Sequence, residues 1–230
     1  MQRLSKVIAG CGVASRRACE ELIQNRHVQV NGKTVLIPQT MVDIAKDVIT
    51  VDGKRVKPVS EKVVYALNKP IGYVCTADPR IKKQAIKLID SNVPRLFTVG
   101  RLDKETTGLI LVTNDGHLAN RIMHPSFEVS KEYIAHVDKE ILPEHLIALS
   151  EGVMIEGSLV KPVQVTKIRK GTIRIVVCDG KKHEVRQLLA AQGFEVRELK
   201  RVKIGNLSLG ALPLGRFKKL SESEIESIIQ

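Results

Sequence analysis

The spacing of apolar residues changes near residue 60, so the chain is predicted to contain two units of different structure. Leu4, Val7 and Ile8 recur at helical spacing. Ser15 is a favourable N-cap for a second helix, and short strand signals with tight turns follow it. This pattern predicts a compact α+β module over residues 1–60.

From residue 61 onward, apolar segments of strand length alternate with turns, and the polar residues 57–62 are interpreted as a linker. The predicted strands are all short and rich in aliphatic residues, and they cover residues 64–67, 109–113, 133–137, 163–166, 173–177 and 196–204. A helix is predicted over 183–191, ended by Gly193. Residues 61–230 are therefore predicted to form a second α+β domain.

The chain is strongly basic, with a formal net charge of +12 and a sequence pI of about 9.6. This balance indicates a polyanionic partner, either a nucleic acid or an acidic membrane surface. The membrane alternative is weaker, because the sequence has no basic amphipathic helix, no lipidation signal and no apolar run of about 18 residues. Aromatic residues make up only 3%. Binding is therefore expected to depend on phosphate contacts and RNA shape rather than on many stacked bases.

The four cysteines, Cys11, Cys19, Cys75 and Cys178, form no CxxC pair and have no histidine at metal-ligand spacing. They are interpreted as reduced thiols, and no metal site is expected. The N-terminal residues lack the apolar region of a secretory signal. These observations favour a cytoplasmic location.

The segment from Gly100 to Leu109 places an arginine, an aspartate and two glycines directly before an apolar strand. Short polar side chains on a loop at the edge of a strand commonly present a catalytic group. From the residues alone, a structural Arg101–Asp103 pair or a turn cap explains the segment equally well.

A second segment, residues 180–189, brings Lys182, Arg186 and Gln187 together near the start of the predicted helix. Cations at a helix N-terminus suit a phosphate or a carboxylate. An exposed basic helix face is the alternative interpretation.

These segments occur together in the order and spacing of a known enzyme family. The motifs are Lys69-Pro70-x-Gly72, Gly100-Arg101-Leu102-Asp103-x-x-Thr106-x-Gly108-Leu109, Lys131-Glu132-Tyr133 and Gly180-x-x-His183-x-Val185-Arg186. They resemble the RsuA/RluB-type bacterial rRNA pseudouridine synthases along the whole chain. The resemblance implies a catalytic domain with a mixed, mainly antiparallel central sheet and an active cleft across its middle.

The N-terminal module resembles the S4-type RNA-binding domain. The matching segments are Arg3-Leu4-Ser5-Lys6, Ala14-Ser15-Arg16-Arg17 and Val28-Gln29-Val30-Asn31-Gly32-Lys33. The RNA-binding side chains expected in this module are Arg3, Lys6, Arg16, Arg17 and Lys33. One departure is Arg26, where the family usually has Gly. Because left-handed backbone is strained for Arg, Asn25 is expected to take the turn instead.

The resemblance also implies roles in the second domain. Asp103 corresponds to the catalytic aspartate, and Tyr133 to the tyrosine that stacks on the target base. Arg186 corresponds to the basic residue that pairs with the aspartate and holds it in place. Arg101 and Thr106 are expected to shape the Asp103 loop.

Further RNA contacts are expected from Lys69, Lys182 and Arg201. Glu184 and Gln187 occupy positions where the family often has Gln and Arg, so one phosphate contact is expected to be weaker. The implied reaction is an isomerisation, and the sequence has neither a GxGxxG nor a GxxxxGK[ST] phosphate-binding motif. No cofactor is therefore expected.

The resemblance implies that ribosomal RNA or a ribosome-assembly particle is the partner, with the chain as a monomer. The segments 124–126 and 131–133 are nearer to the branch that modifies the large subunit. The same chemistry on small-subunit rRNA and a non-catalytic S4-type RNA-binding protein remain as alternatives.

Overall fold

The computed structural model describes residues 1–59, 61–93, 95–155, 157–181 and 183–229. These residues form two compact units. The first unit contains Met1–Val63 together with two short later segments, Asn92–Leu96 and Asn114–Gly116, and the second contains the remainder of the described chain.

The first unit consists of short elements, as the sequence predicts. They are β1 (Gln2–Arg3), α1 (Leu4–Gly10), α2 (Arg16–Gln24), β2 (Val28–Val30), β3 (Lys33–Thr34), β4 (Met41–Val42), β5 (Ile49–Val51) and β6 (Lys54–Arg55). Four of the strands form an antiparallel sheet in the order β3-β2-β5-β6, and β1 pairs with β4.

The start of α2 follows from its capping residue. The Ser15 side chain accepts a hydrogen bond from the backbone N–H of Ala18 at 3.0 Å, which satisfies one of the free donors of the first turn. The apolar face of α2, formed by Cys19 and Ile23, packs against Ile8 of α1 in a single core. The predicted pair of amphipathic helices is confirmed.

The end of α2 differs from the prediction. Arg26 adopts the left-handed conformation with φ 66°, whereas Asn25 has φ −86°, so the expectation that Asn25 takes the turn was wrong. The backbone N–H of His27 donates to the carbonyl of Leu22, and that of Arg26 donates to Ile23. This is a Schellman closure, which requires the left-handed residue one position after the cap.

The second unit contains longer strands and four α-helices within the described residues. Its elements are β7 (Val64–Lys69), β8 (Phe97–Val99), β9 (Thr106–Thr113), α3 (Gly116–Met123), β10 (Lys131–Val137), α4 (Pro143–Glu151), β11 (Val153–Ile155), β12 (Ser158–Val160), β13 (Gln164–Arg169), β14 (Thr172–Val177), α5 (Glu184–Ala191), β15 (Val196–Ile204), β16 (Leu207–Ser208), β17 (Phe217–Lys219) and α6 (Glu222–Ser227). Two 3-10 helices span Ala85–Leu88 and Pro125–Phe127.

Nine of these strands form one large sheet. Its main order is β13-β14-β10-β15-β9-β7-β17, while β16 pairs with β15 and β8 pairs with β9. Among the described residues, every pairing in this sheet is antiparallel except that between β9 and β15. The prediction of an α+β fold with a mixed, mainly antiparallel sheet is confirmed.

Strand β9 is buried on both faces of this sheet. Leu109 and Leu111 belong to a hydrophobic cluster that includes residues of α3, whereas Ile110 belongs to a different cluster with Leu102. Successive side chains of a strand point to opposite faces, which explains why an unbroken apolar run is needed here. The loop that precedes β9, which carries Asp103, is therefore attached to a strand that is buried on both faces.

None of the helices in the described ranges combines the length and the apolar composition that crossing a bilayer requires.

Candidate active site

A cleft of about 520 Å³ opens in the second unit around the loop that joins β8 to β9. Among the predicted site residues that the structure describes, five line it: Arg101, Asp103, Thr106, Tyr133 and Arg201. Small-molecule sites commonly have volumes of roughly 300–1,000 Å³. The fold thus collects these residues from three separate segments of the sequence around a space large enough for a small molecule.

Hydrogen bonds fix the backbone of the Asp103 loop. Leu102 is buried, and its backbone N–H donates to Sγ of Cys75 at 3.4 Å. The backbone N–H of Thr106 donates to the carbonyl of Asp103 at 3.1 Å, which closes a turn at the start of β9. Arg101 is exposed and Asp103 is only partly buried. The loop therefore has a fixed backbone, and the carboxylate remains accessible from the cleft.

Lys69 fixes the same loop from inside the protein, and its predicted contact with RNA was wrong. The residue is fully buried, and its ammonium group donates to the carbonyls of Pro70 at 3.0 Å, Tyr73 at 2.9 Å and Lys104 at 3.4 Å. Burial lowers the pKa of Lys69, although the nearby charge of Asp103 opposes this effect. The lysine of the Lys-Pro-x-Gly motif thus connects that turn to the Asp103 loop.

Gly108 allows the parallel contact between β9 and β15. It has φ 103° and pairs with Arg201, and a Cβ atom at this position would lie 2.2 Å from the Arg201 carbonyl oxygen. Only glycine permits so close an approach of the two backbones. The close packing of β9 against β15 therefore explains why the motif has a glycine at position 108. This close packing places Arg201 beside the Asp103 loop.

Arg201 occupies the interior of the cleft. Only 5% of the residue is exposed. Its Nε donates to the carbonyl of Leu109 at 2.7 Å, and its Nη1 lies 3.3 Å from the hydroxyl oxygen of Tyr133. A contact between Arg201 and RNA is consequently a contact within the cleft, not one on the outer surface.

The observed partner of Asp103 is His183. Nε2 of His183 lies 3.3 Å from Oδ1 of Asp103, and the two form an ion pair when the imidazole is protonated. His183 has φ 54° and is the N-cap of α5. A left-handed histidine at a cleft is a strained conformation of the kind that clusters at functional sites. The sequence motif contained this residue, but nothing in the spacing indicated its contact with Asp103.

Arg186 does not form the predicted ion pair with Asp103 within the described residues. Its guanidinium donates instead to the carbonyls of Val196 at 3.2 Å and Glu105 at 3.4 Å. The arginine on α5 therefore supports the backbone of the loop two residues beyond Asp103, and the predicted direct contact with the carboxylate was wrong.

Three buried polar atoms in the cleft have no hydrogen-bond partner among the described residues. They are Oγ1 of Thr106, Oε1 of Glu184 and Nη2 of Arg201. Buried polar groups in native proteins are nearly always paired, so unpaired ones need an explanation. Their convergence on one cleft indicates a site whose hydrogen bonds are completed by a bound molecule.

Glu184 and Lys131 form a second charged area of the cleft that the sequence did not indicate as functional. Burial is the main cause that raises the pKa of Glu184 to about 7, followed by the negative charge of Asp179. Burial also lowers the pKa of Lys131, whose ammonium group donates to the carbonyl of Cys178 at 2.6 Å. In the described part of the chain, no three His, Cys, Asp or Glu residues are grouped as metal ligands.

The RNA-binding residues predicted in the first unit are all exposed. They are Arg3, Lys6, Arg16, Arg17 and Lys33. Arg16 lies 3.8 Å from Glu20 on the next turn of α2, a surface pair of little energetic weight. Lys182, the remaining predicted RNA contact, lies outside the described residues.

Comparison with known families accounts for most of the chain. Residues 63–191 match the RNA pseudouridylate synthase family, and residues 2–49 match the S4 domain. The chain belongs to the RNA pseudouridylate synthase family. The residues of the cleft, apart from its β15 side, lie within the matched segment.

Individual family members are similar over almost the whole chain. A putative ribosomal large subunit pseudouridine synthase of Arabidopsis thaliana, SVR1, is 47% identical over 99% of this chain, which spans 60% of the length of that plant protein. Ribosomal large subunit pseudouridine synthase B of Bacillus subtilis is 37% identical, with 99% of this chain and 96% of that protein covered.

A crystal structure of a pseudouridylate synthase has the same fold. It is 29% identical in sequence, gives a TM-score of 0.74, and covers 100% of both chains. The predicted family, its S4 domain and its synthase fold are therefore confirmed.

Proposed function

We propose that this chain converts a uridine of large-subunit ribosomal RNA into pseudouridine, with Asp103 as the catalytic carboxylate. The observation that carries the proposal is the cleft in which Asp103, Tyr133 and Arg201 meet beside unpaired buried polar atoms. The names of the plant and Bacillus relatives support the large subunit as the target.

The chemistry explains why such a cleft suffices. The bond between C1′ of the ribose and N1 of uracil breaks, a bond between C1′ and C5 forms, the hydrogen leaves C5 as a proton, and N1 gains a proton. Atoms and electrons balance without an external group. The uracil must stay bound while it turns, and a base in a duplex must first leave its stack. Asp103 acts at the sugar or the ring, and the Tyr133 ring offers a flat surface for the detached base.

The resemblance implied that Arg186 pairs with Asp103, but we propose that other residues provide the electrostatic stabilisation. Arg201 is buried, and its Nη2 has no partner among the described residues, so this guanidinium is available to stabilise negative charge on the departing uracil. Arg186 acts through the Asp103 loop, since it donates to the carbonyl of Glu105. His183 orients the carboxylate of Asp103.

The first unit is proposed as the RNA-docking module. Residues 1–60 contain ten Lys and Arg against five Asp and Glu, a net charge of +5. Exposed cations bind phosphates with little dependence on sequence. We propose a domain boundary near residue 60, rRNA or an assembling ribosomal particle as partner, a monomeric chain, and a cytoplasmic location consistent with the free thiols.

The test is Asp103→Asn, with Asp90→Asn as the matched control. Asp90 is an exposed carboxylate of the second unit that does not line the cleft. Purified variants would be incubated with rRNA from a strain that lacks this gene, and pseudouridines would be mapped in both subunits. We expect product at a large-subunit position with the control and none with Asp103→Asn. Unchanged product formation by Asp103→Asn would refute the catalytic assignment, and product only in small-subunit rRNA would refute the target.

A further inference from the structure

Glu184 is a buried carboxyl group whose hydrogen bonds are only partly completed by the described chain. It is the first residue of α5, lines the cleft, and is only 6% exposed. Its Oε1 has no hydrogen-bond partner among the described residues. Leaving a polar atom buried and unpaired is unfavourable, so an unpaired one that lines a cleft points to a ligand that completes its hydrogen bonds.

We propose that Glu184 contacts the substrate, and that its neutral carboxyl group donates a hydrogen bond to a carbonyl oxygen of the flipped uracil. This inference rests on the proposed function, because it requires the base to occupy the cleft that Glu184 shares with Asp103.

The chemistry of the departing base favours a neutral donor. Uracil presents two carbonyl oxygens, and both accept hydrogen bonds. When the bond from C1′ to N1 breaks, negative charge on the ring spreads to these oxygens. A carboxyl O–H at such an oxygen stabilises that charge, whereas a carboxylate repels it. The protonated form of Glu184 is therefore the active one.

The charged groups around Glu184 are compatible with this form. Asp179, which precedes α5, opposes ionisation. The charges of Lys131 on β10 and of Lys181 favour it, as does a hydrogen bond from the backbone N–H of Lys181. The ammonium group of Lys131 already donates to the backbone carbonyl of Cys178. Arg201 lines the same cleft from β15. With burial as the largest effect, the pKa of Glu184 is raised to about 7, so the neutral form is present at neutral pH.

The experiment compares the pH dependence of kcat/KM for the wild type, Glu184→Gln and Glu184→Leu on rRNA from a strain lacking the gene. A glutamine amide donates at every pH. We therefore expect Glu184→Gln to exceed the wild type about tenfold at pH 8, one pH unit above the pKa, where only about a tenth of Glu184 is protonated. Leucine removes the donor, and we expect a loss of roughly 100-fold at pH 6.5.

The matched control is Glu144→Gln. Glu144 is the acidic residue in the first turn of α4, as Glu184 is in α5, but it is exposed and lies outside the cleft. Its pH profile should equal that of the wild type.

Two outcomes overturn the inference: Glu184→Gln losing activity above pH 7 as the wild type does, or a folded Glu184→Leu that is fully active at pH 6.5. If the leucine variant does not fold, the profile of the glutamine variant decides alone. Asp103→Asn separates this test from the proposed function. If Asp103→Asn forms no product and the pH profile of Glu184→Gln equals that of the wild type, only the role of Glu184 is refuted. If the wild type itself forms no product, the role of Glu184 and the proposed function are both refuted.

Discussion

Replacing Gly108 by alanine tests whether the parallel contact between β9 and β15 builds the cleft. The added Cβ atom would lie 2.2 Å from the Arg201 carbonyl oxygen and 2.8 Å from its backbone nitrogen. Both atoms are backbone, so β15 must move away as a whole. Left-handed backbone costs alanine about 1 kcal/mol, and overpacking of this kind costs about 2–3 kcal/mol. We expect Gly108→Ala to lose about 3–4 kcal/mol of the free energy of unfolding.

Gly210→Ala is the matched control for the backbone cost. Gly210 also has a positive φ, 54°, but a Cβ atom there would have no heavy atom within 4 Å. We expect this variant to lose only about 1 kcal/mol. The difference between the two variants therefore isolates the close approach to Arg201.

Urea unfolding followed by tyrosine fluorescence is the assay, because the protein has no Trp. Its three tyrosines, Tyr65, Tyr73 and Tyr133, all belong to the second unit, so the signal reports on that unit alone. A shift of the midpoint at constant slope measures the change in stability. Pseudouridine formation should fall as well, since Arg201 moves with β15. A midpoint no lower than that of Gly210→Ala would refute the reasoning.

Three further predictions address burial and charge. The folded state raises the pKa of Glu184 from 4.5 to about 7, so it binds more protons than the unfolded chain between these values. The contribution of Glu184 to stability is therefore lost as pH rises through this window, and Glu184→Gln should gain about 1–2 kcal/mol over the wild type between pH 5 and pH 8, after allowing for solvent in the open cleft. If Glu184→Gln and the wild type differ in urea midpoint by the same amount at pH 5 and at pH 8, this prediction is contradicted. Lys69→Met should lose about 2–3 kcal/mol of the free energy of unfolding and should have a lower kcat, because three buried carbonyls lose their donor. A variant that is more stable than the wild type in the same assay would show that the buried charge destabilises the fold. Arg16→Ala combined with Arg17→Ala should weaken rRNA binding and reduce the log–log salt slope by about 1.5. An unchanged slope in filter binding would remove α2 from the RNA-docking surface.

The elements that depend on local pattern were predictable from sequence. The segment 196–204 was predicted as a strand and is β15 (Val196–Ile204). Ser15 was predicted as an N-cap and accepts the expected hydrogen bond. Such features follow from residue type and spacing over a few positions. The family motif likewise identified Asp103, Tyr133 and Arg201 as residues of interest, and all three line the cleft.

The contacts within the site were less predictable, because they depend on which distant strands meet. A lysine beside a proline turn usually faces solvent, and only the fold shows that Lys69 is enclosed by three carbonyls. Spacing on α5 could not decide whether His183 or Arg186 reaches Asp103, since both lie near the helix start. The left-handed backbone of His183 brings its ring within reach, and that conformation has no signal in the sequence. Glu184 was noted only as a departure from the family pattern.

The pairing of β9 with β15 also has a consequence for biosynthesis. Leu199 lies opposite Thr106, so the two sides of the cleft are separated by about ninety positions of chain. Contacts of such long range form late, and the ribosome delivers the polypeptide from its N-terminus. The basic first unit is therefore synthesised and can fold before β15, which forms one side of the cleft, has been made. A nascent chain arrested before residue 196 should bind RNA but leave every uridine unmodified.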